Sequence, residues 1–228
     1  MALYALGDLH LSLGTDKPMD IFKGWDNYVE QIEENWRRLI KPDDTIVLCG
    51  DISWAMSLEE SLTDMRFINS LPGQKIILKG NHDYWWTTYN KMDGMFKENG
   101  LDTLHILHNN HYIAEGVAIC GSRGWLFEQG QPHDTKIINR EAGRLKASLQ
   151  SVKDETAEKI VFLHYPPAYY NEISMPIIDV IKEFNVKKCY YGHIHGFAQR
   201  FAIDSEFMGI DFHLIAADYL KFCPDRIK

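Results

Sequence analysis

The chain has 228 residues, 45% of them hydrophobic and 25% charged, with a formal charge of −8. This length can bury a good core and suits one α/β domain, expected over residues 1–228. The net negative charge gives the whole molecule no attraction to nucleic acid or an anionic membrane, and no apolar run approaches a membrane span.

In chain order, short β-rich runs alternate with segments of helical period. Strands are expected at 3–6, 45–49, 75–78, 117–120, 159–163, 188–191, 197–203 and 207–216. Between the first two, Val29, Ile32, Trp36 and Leu39 fall on one helical face, and Lys41-Pro42 closes it. Ser57 with Glu60 reads as a capping box ahead of Leu58, Leu62, Met65 and Ile68, and Pro72-Gly73 stops that helix. Ala142, Leu145, Leu149 and Val152 form a third stripe; Ile177, Ile178, Ile181 and Phe184 form a fourth. Strands alternating with helices imply βαβ units, and the helix-free stretch after His195 reads as antiparallel hairpins. The expected fold is α/β, with two packed mixed sheets flanked by helices. Residues 12–26 and 121–135 are irregular and long enough to carry function.

Cys49, Cys120, Cys189 and Cys223 lie far apart without metal-binding or disulfide spacing, and the first three sit in apolar runs. Reduced structural thiols are expected. Met1 leads almost directly into the first strand, with no charged segment and apolar stretch before it, so a cytoplasmic location is expected.

Five segments place metal-binding side chains at, or within two residues of, the end of an apolar run. They are Gly7-Asp8-Leu9-His10, Gly50-Asp51, Gly80-Asn81-His82-Asp83, His164-Tyr165-Pro166-Pro167 and Gly192-His193-Ile194-His195. In α/β sheets ligands collect beyond the carboxyl ends of strands, so the five can meet at one edge. Two Asp, one Asn and four His suit two divalent ions in a mixed oxygen and imidazole site.

This order of blocks, D-x-H, G-D, G-N-H-D, H and G-H-x-H, resembles the calcineurin-like metallophosphoesterase superfamily from Asp8 to His195. The resemblance implies a four-layer sandwich of two sheets and flanking helices. It implies one metal on Asp8, His10, Asp51 and His195, and a second on Asp51, Asn81, His164 and His193, with Asp51 bridging. A water between the ions would lose a proton and attack phosphorus in line. His82 would act on the phosphoryl or leaving-group oxygen, and Asp83 would orient His82 by accepting from its other ring nitrogen. The ligand set admits Mn, Fe or Zn foremost, and also Co or Ni.

Any one of these residues alone reads more simply as a turn, cap or satisfied core group; the five blocks together carry the metal reading. His105, His108, His111, His133 and His213 lie outside the motifs and are read as structural or surface groups. Trp85-Trp86 reads first as core packing and second as a stacking wall for a substrate ring. Arg123 offers a fork for a phosphate oxygen or a surface ion pair, and Lys17, Lys23 and Trp25 are placed to line a pocket.

The leading function is hydrolysis of a small-molecule phosphomonoester or phosphodiester. A nuclease needs a basic track, and Arg37-Arg38 and Lys187-Lys188 are short clusters. A protein phosphatase has nothing specific in its favour. A non-catalytic interaction module on the same scaffold is the remaining alternative, disfavoured because every ligand position and His82 are filled.

Overall fold

The apolar runs form strands buried on both faces, as parallel strands between other layers must be. The computed structural model describes residues 1–125, 135–154 and 156–228. Its strands are β1 (Leu3–Leu6), β2 (Thr45–Cys49), β3 (Gln74–Leu78), β4 (Leu104–Ile106), β5 (His111–Ala114), β6 (Val117–Ser122), β7 (Glu158–Leu163), β8 (Ala168–Tyr169), β9 (Glu172–Ile173), β10 (Lys188–Tyr191), β11 (Glu206–Phe207), β12 (Ile210–Leu214) and β13 (Asp225–Arg226). The helices are α1 (Tyr28–Leu39), α2 (Leu62–Ser70), α3 (Tyr89–Glu98), α4 (Thr135–Ser151) and α5 (Met175–Glu183).

Among the described residues one sheet has the order β13-β1-β2-β3-β4 and the other β11-β12-β10-β7-β6-β5; β8 and β9 form a small hairpin. The period-2 alternation of strands divides the apolar residues between layers. Leu3, Ala5, Val47 and Cys49 face Ile119, Ile160, Phe162 and Tyr190 between the sheets. Leu6, Ile46 and Leu48 turn outward to pack under Ile32 and Trp36 of α1 and Met65 and Ile68 of α2. On the other side, Val161, Leu163 and Cys189 pack under Leu145 and Leu149 of α4 and Ile177 and Ile181 of α5. The result is the expected four-layer α/β sandwich. No helix among the described residues is long and apolar enough to cross a membrane.

Several expectations need correction. In place of the strand expected at 197–203 there is a 3₁₀ helix (Gly196–Phe201), followed by an isolated bridge of Ala202 to Tyr169. Phe197 is 69% exposed and Phe201 40%, so no buried face holds this stretch extended. The strand expected at 207–216 is a hairpin, β11 and β12, folded at Met208-Gly209, where both residues have positive φ. β12 also pairs in parallel with β10, so the C-terminal stretch is not wholly antiparallel. Ser57 and Glu60 occupy a turn ahead of α2: Ser57 Oγ accepts from Glu60 N at 3.2 Å, while the Glu60 carboxylate accepts from Met56 N at 2.9 Å. The helix itself starts at Leu62. Of the irregular stretch 121–135, residues 126–134 lie outside the described ones, as does His133.

Candidate metal centre and active site

β1, β2, β3, β7 and β10 point their carboxyl ends at one edge, and the two sheets are joined there. Gly7 N donates to Ile215 O at 2.7 Å and Ala217 N to Gly7 O at 3.0 Å, linking the end of β1 to the segment after β12. Asp8 N donates to Gly50 O and His10 N to Asp51 O, at 3.0 and 2.8 Å, which locks the first two motif loops together.

Four of the expected ligands, Asp8, His10, Asp51 and His193, adopt positive φ of 60°, 47°, 48° and 72°. Such backbone is uncommon outside glycine and clusters where function over-determines the conformation. The motif glycines provide the room. A Cβ on Gly80 would overlap Asp51, one on Gly192 would overlap the Asp8 carboxylate, and one on Gly50 would come within 2.8 Å of His164 Nδ1.

Carboxylate and imidazole atoms gather in two sets, Asp8, His10 and His195, and Asp51, His164 and His193, each with its atoms within 4.8 Å of one another. The sets adjoin: His10 Nε2 lies 3.7 Å, and His164 Nε2 3.5 Å, from Asp51 Oδ2. Asn81 joins the second set, its Oδ1 lying 2.6 Å from His164 Nε2 and 3.0 Å from His193 Nδ1.

The proton positions fit metal binding. Burial pushes His164 down to about 3, so its imidazole is neutral at pH 7. Its Nδ1 faces the Cys49 carbonyl at 3.0 Å, which can only accept, so Nδ1 carries the proton and Nε2 is a lone pair. That lone pair faces the Asn81 oxygen, an arrangement suited to a cation between them. His195 is aimed in the same way, with Nδ1 against Asp218 Oδ1 at 2.9 Å and the buried Nε2 turned to Asp8 Oδ1 at 3.4 Å. Outer acceptors of this type fix the tautomer and aim of metal-binding imidazoles. Asp218 did not figure in the sequence reading, since it lies 23 residues beyond His195 with no motif around it.

The electrostatics point the same way. Burial, followed by neighbouring Asp83 and Asp8, pushes Asp51 well above the usual carboxylate range. Burial opposes a charge on His195, but Asp8 and Asp218 outweigh it and raise this group to about 10. A field that favours a proton there favours any cation. Burial also holds His10 well down, helped by His195 and His82, and it lowers His193 to about 3. The residues present therefore fit divalent metal ions.

His82 stands beside these groups, its backbone N donating to Asp51 Oδ1 at 2.7 Å and its ring 4.5 Å from that of Trp54. Asp83 does not orient it. The Asp83 carboxylate, fully buried, accepts from Ile52 N at 2.8 Å, Ser53 N at 3.2 Å, Gly80 N at 2.7 Å and Trp85 Nε1 at 2.9 Å. His82 Nδ1 is buried without a hydrogen-bond partner. Asp83 ties the second motif loop to the third, because four N–H donors converge on it and leave no oxygen turned to the imidazole.

A cavity of about 420 Å³ opens over His10, His82 and His195 and includes Lys23 and Trp25 in its lining. Lys17 lines the adjoining hollow. Trp85 is core, 1% exposed. Trp86 and Arg123 line a different cavity of about 390 Å³, with Lys79 and Arg144. The Arg123 guanidinium lies 5.0 Å from the Trp125 ring centroid and 3.8 Å from buried Glu141, while its backbone O accepts from His164 N and Tyr165 N. Among the other histidines, His105 pairs with Gln74, His111 with Ser151 and His213 with Asp211.

A family model described as calcineurin-like phosphoesterase matches residues 1–197. The chain belongs to the calcineurin-like phosphoesterase family. Three solved structures share the phosphoesterase fold. A phosphopantetheinyl hydrolase from Mycobacterium tuberculosis is 13% identical, with a TM-score of 0.57 over 99% of this chain and 95% of that one. A protein of unknown function from Aquifex aeolicus is 16% identical, with a TM-score of 0.52 over 99% and 95%. A Thermus thermophilus protein is 16% identical, with a TM-score of 0.54 over 85% and 81%. No curated protein matches this phosphoesterase in sequence.

Proposed function

We propose that residues 1–228 form one metal-dependent phosphoesterase domain that hydrolyses a phosphomonoester or phosphodiester of a small molecule at a dinuclear centre. The observation that carries this reading is the adjacency of the two ligand sets at one sheet edge with His82 beside them. Asp8, His10, Asp51 and His195 would hold one ion, and Asp51, Asn81, His164 and His193 the other, with Asp51 shared. Two bound divalent ions would lower the pKa of water and neutralise charge on the phosphoryl oxygens.

The chain's own groups supply the rest. Asp218 and the Cys49 carbonyl hold His195 and His164 with their Nε2 atoms inward. His82 is assigned to the phosphoryl or leaving-group oxygen. Burial lowers its pKa below the ordinary histidine value. Trp54 and the Asp51 carboxylate fix its place, from the ring side and the backbone side. Arg123 adds positive charge near His164 to draw phosphate in, with Glu141 holding its guanidinium. The metals are taken as Mn, Fe or Zn, since imidazole and carboxylate discriminate weakly among them. Four free cysteines, three of them buried, accord with a reducing, cytoplasmic setting.

The test is hydrolysis of p-nitrophenyl phosphate and bis-p-nitrophenyl phosphate by metal-stripped protein, with and without Mn²⁺. Turnover restored by metal supports the proposal, and the rate ratio ranks monoester against diester. Failure to bind any divalent ion would remove its basis.

A further inference from the structure

We infer that the cavity over His10, His82 and His195 receives an apolar organic group esterified to the phosphate, an aromatic ring or hydrocarbon chain; this rests on the phosphoesterase reading above. The cavity has about 420 Å³ of space, and the three imidazoles are part of its lining. Met19, Phe22, Trp25 and Trp54 supply its apolar lining, with Lys23, Gly196 and Asp218 beside them.

Trp54 stacks on His10 with centroids 5.0 Å apart and lies 4.5 Å from His82, so this wall is continuous with the reacting centre. The indole nitrogen of Trp54 is itself buried, leaving carbon to face the opening. Trp25 is 4% exposed, set edge-on to both His10 and His195, and Met19 is 7% exposed. A second hollow of about 360 Å³ shares Met19, Phe22 and Trp54 and runs on to Ile21. Phe22 and Ile21 at this rim are 53% and 73% exposed. Large apolar side chains left in water beside a catalytic opening mark a surface built to be covered.

Apart from the imidazole nitrogens of the site and the buried Trp54 indole N–H, the polar groups near the opening are already engaged or peripheral. Asp218 is bound to His195 and Gly196, and Lys17 Nζ is held by Trp54 O and Met56 Sδ, both at 3.2 Å. Lys23 is exposed at the rim. A polyhydroxylated leaving group would lose water here and find few partners, which costs affinity. A hydrocarbon group would gain about 0.8 kcal/mol for each methylene buried.

The experiment uses 4-alkylphenyl phosphates (hydrogen, methyl, ethyl, propyl), both as monoesters and as methyl diesters, with the Mn²⁺-loaded protein. Their phenols have nearly equal acidity, so the chemical step is held constant along the series. The expected result is a rise in kcat/KM of about fourfold per methylene until the cavity fills. Phe22→Ser should flatten that slope, with metal content and thermal midpoint measured alongside.

Turnover with no dependence on the alkyl group, or with a slope unchanged in Phe22→Ser, overturns the assignment of this cavity and leaves the phosphoesterase reading intact. A glycerol phosphate hydrolysed with higher kcat/KM than the propylphenyl ester overturns it too. Absence of turnover across the whole metal-loaded series removes the phosphoesterase reading and this inference with it.

Discussion

Asp218 Oδ1 lies 2.9 Å from His195 Nδ1 and so turns the opposite nitrogen of that ring toward Asp8. The other Asp218 oxygen accepts from Gly196 N at 3.0 Å, which pins the start of the 3₁₀ helix that follows His195. Asp218 thus positions a proposed metal ligand from outside the two ligand sets. Asp218→Ala should weaken divalent metal affinity by roughly 10–100-fold, the usual cost of losing such a partner. Asp218→Asn keeps an acceptor for Nδ1 and should recover part of it. Mn²⁺ titration of the three proteins checks this, and equal affinities would mean that His195 holds its own orientation.

His82 and Asp83 are neighbours in sequence with separate duties, and their variants should divide accordingly. His82→Ala is expected to lower kcat by roughly 10²–10⁴-fold with metal content unchanged, the range for a lost general acid or base. Asp83→Ala removes a fully buried acceptor of four hydrogen bonds and strands Ile52 N, Ser53 N, Gly80 N and Trp85 Nε1. It should destabilise the fold by about 3 kcal/mol or more, given 1–3 kcal/mol for a stranded buried group. Thermal unfolding and metal analysis distinguish the two. A stable, metal-loaded but inactive Asp83→Ala would restore a direct catalytic link to His82.

The sequence made the parts of this site that lie within a few residues of a strand end legible. Asp8, Asp51, Asn81, His164, His193 and His195 each follow a continuous apolar run, and strand ends project residues to a common edge whatever the loops do. Asp218 was not legible, because its partnership depends on β12 crossing to lie beside β10, a relation no local pattern encodes. Asp83 was misread for a related reason: adjacency to His82 suggested a pair, while the donors that claim it come from two loops and an indole. Short elements were lost where the pattern was thin. In α3 only Met92 and Phe96 are buried, and β4, β5 and β13 have three, four and two residues. Residues 197–203 are rich in apolar side chains, but their aromatics face water and Arg200 sits 3.3 Å from the Phe197 ring centroid.

Gly80 and Gly143 should respond oppositely to the same methyl group. A Cβ on Gly80 would meet the backbone N and carboxylate of Asp51, neither of which can move without disturbing the ligand sets. Gly80→Ala is therefore expected to abolish measurable metal-dependent turnover and to lower metal content. Gly143, within α4, has nothing near its would-be Cβ, and Gly143→Ala should stabilise by about 0.5–1 kcal/mol through helix propensity. Chemical denaturation and metal analysis of both variants test the contrast. A Gly80→Ala protein with normal metal content would mean that the Asp51 loop yields easily.

Lys75 offers a pH signature far from the metal centre. It is fully buried, and its Nζ donates to Leu71 O, to Asn69 O at 3.4 Å and to Thr103 Oγ1 at 3.0 Å, closing the end of α2. Burial, with a smaller contribution from Arg37, lowers its pKa to about 8. In the unfolded chain a lysine titrates at about 10.4. Between these values the unfolded state holds a proton that the folded state has released, so stability contributed by this group rises with pH. Below about pH 8 both states are protonated and the dependence vanishes. The unfolding free energy of the wild type relative to Lys75→Met should therefore climb by about 2 kcal/mol in all from pH 8 to pH 10, most steeply near pH 9. Using the difference cancels the tyrosines that titrate near the upper end. Urea unfolding of both proteins at pH 7, 8, 9 and 10 measures it, and a flat difference would show that the lysine stays charged in the folded protein.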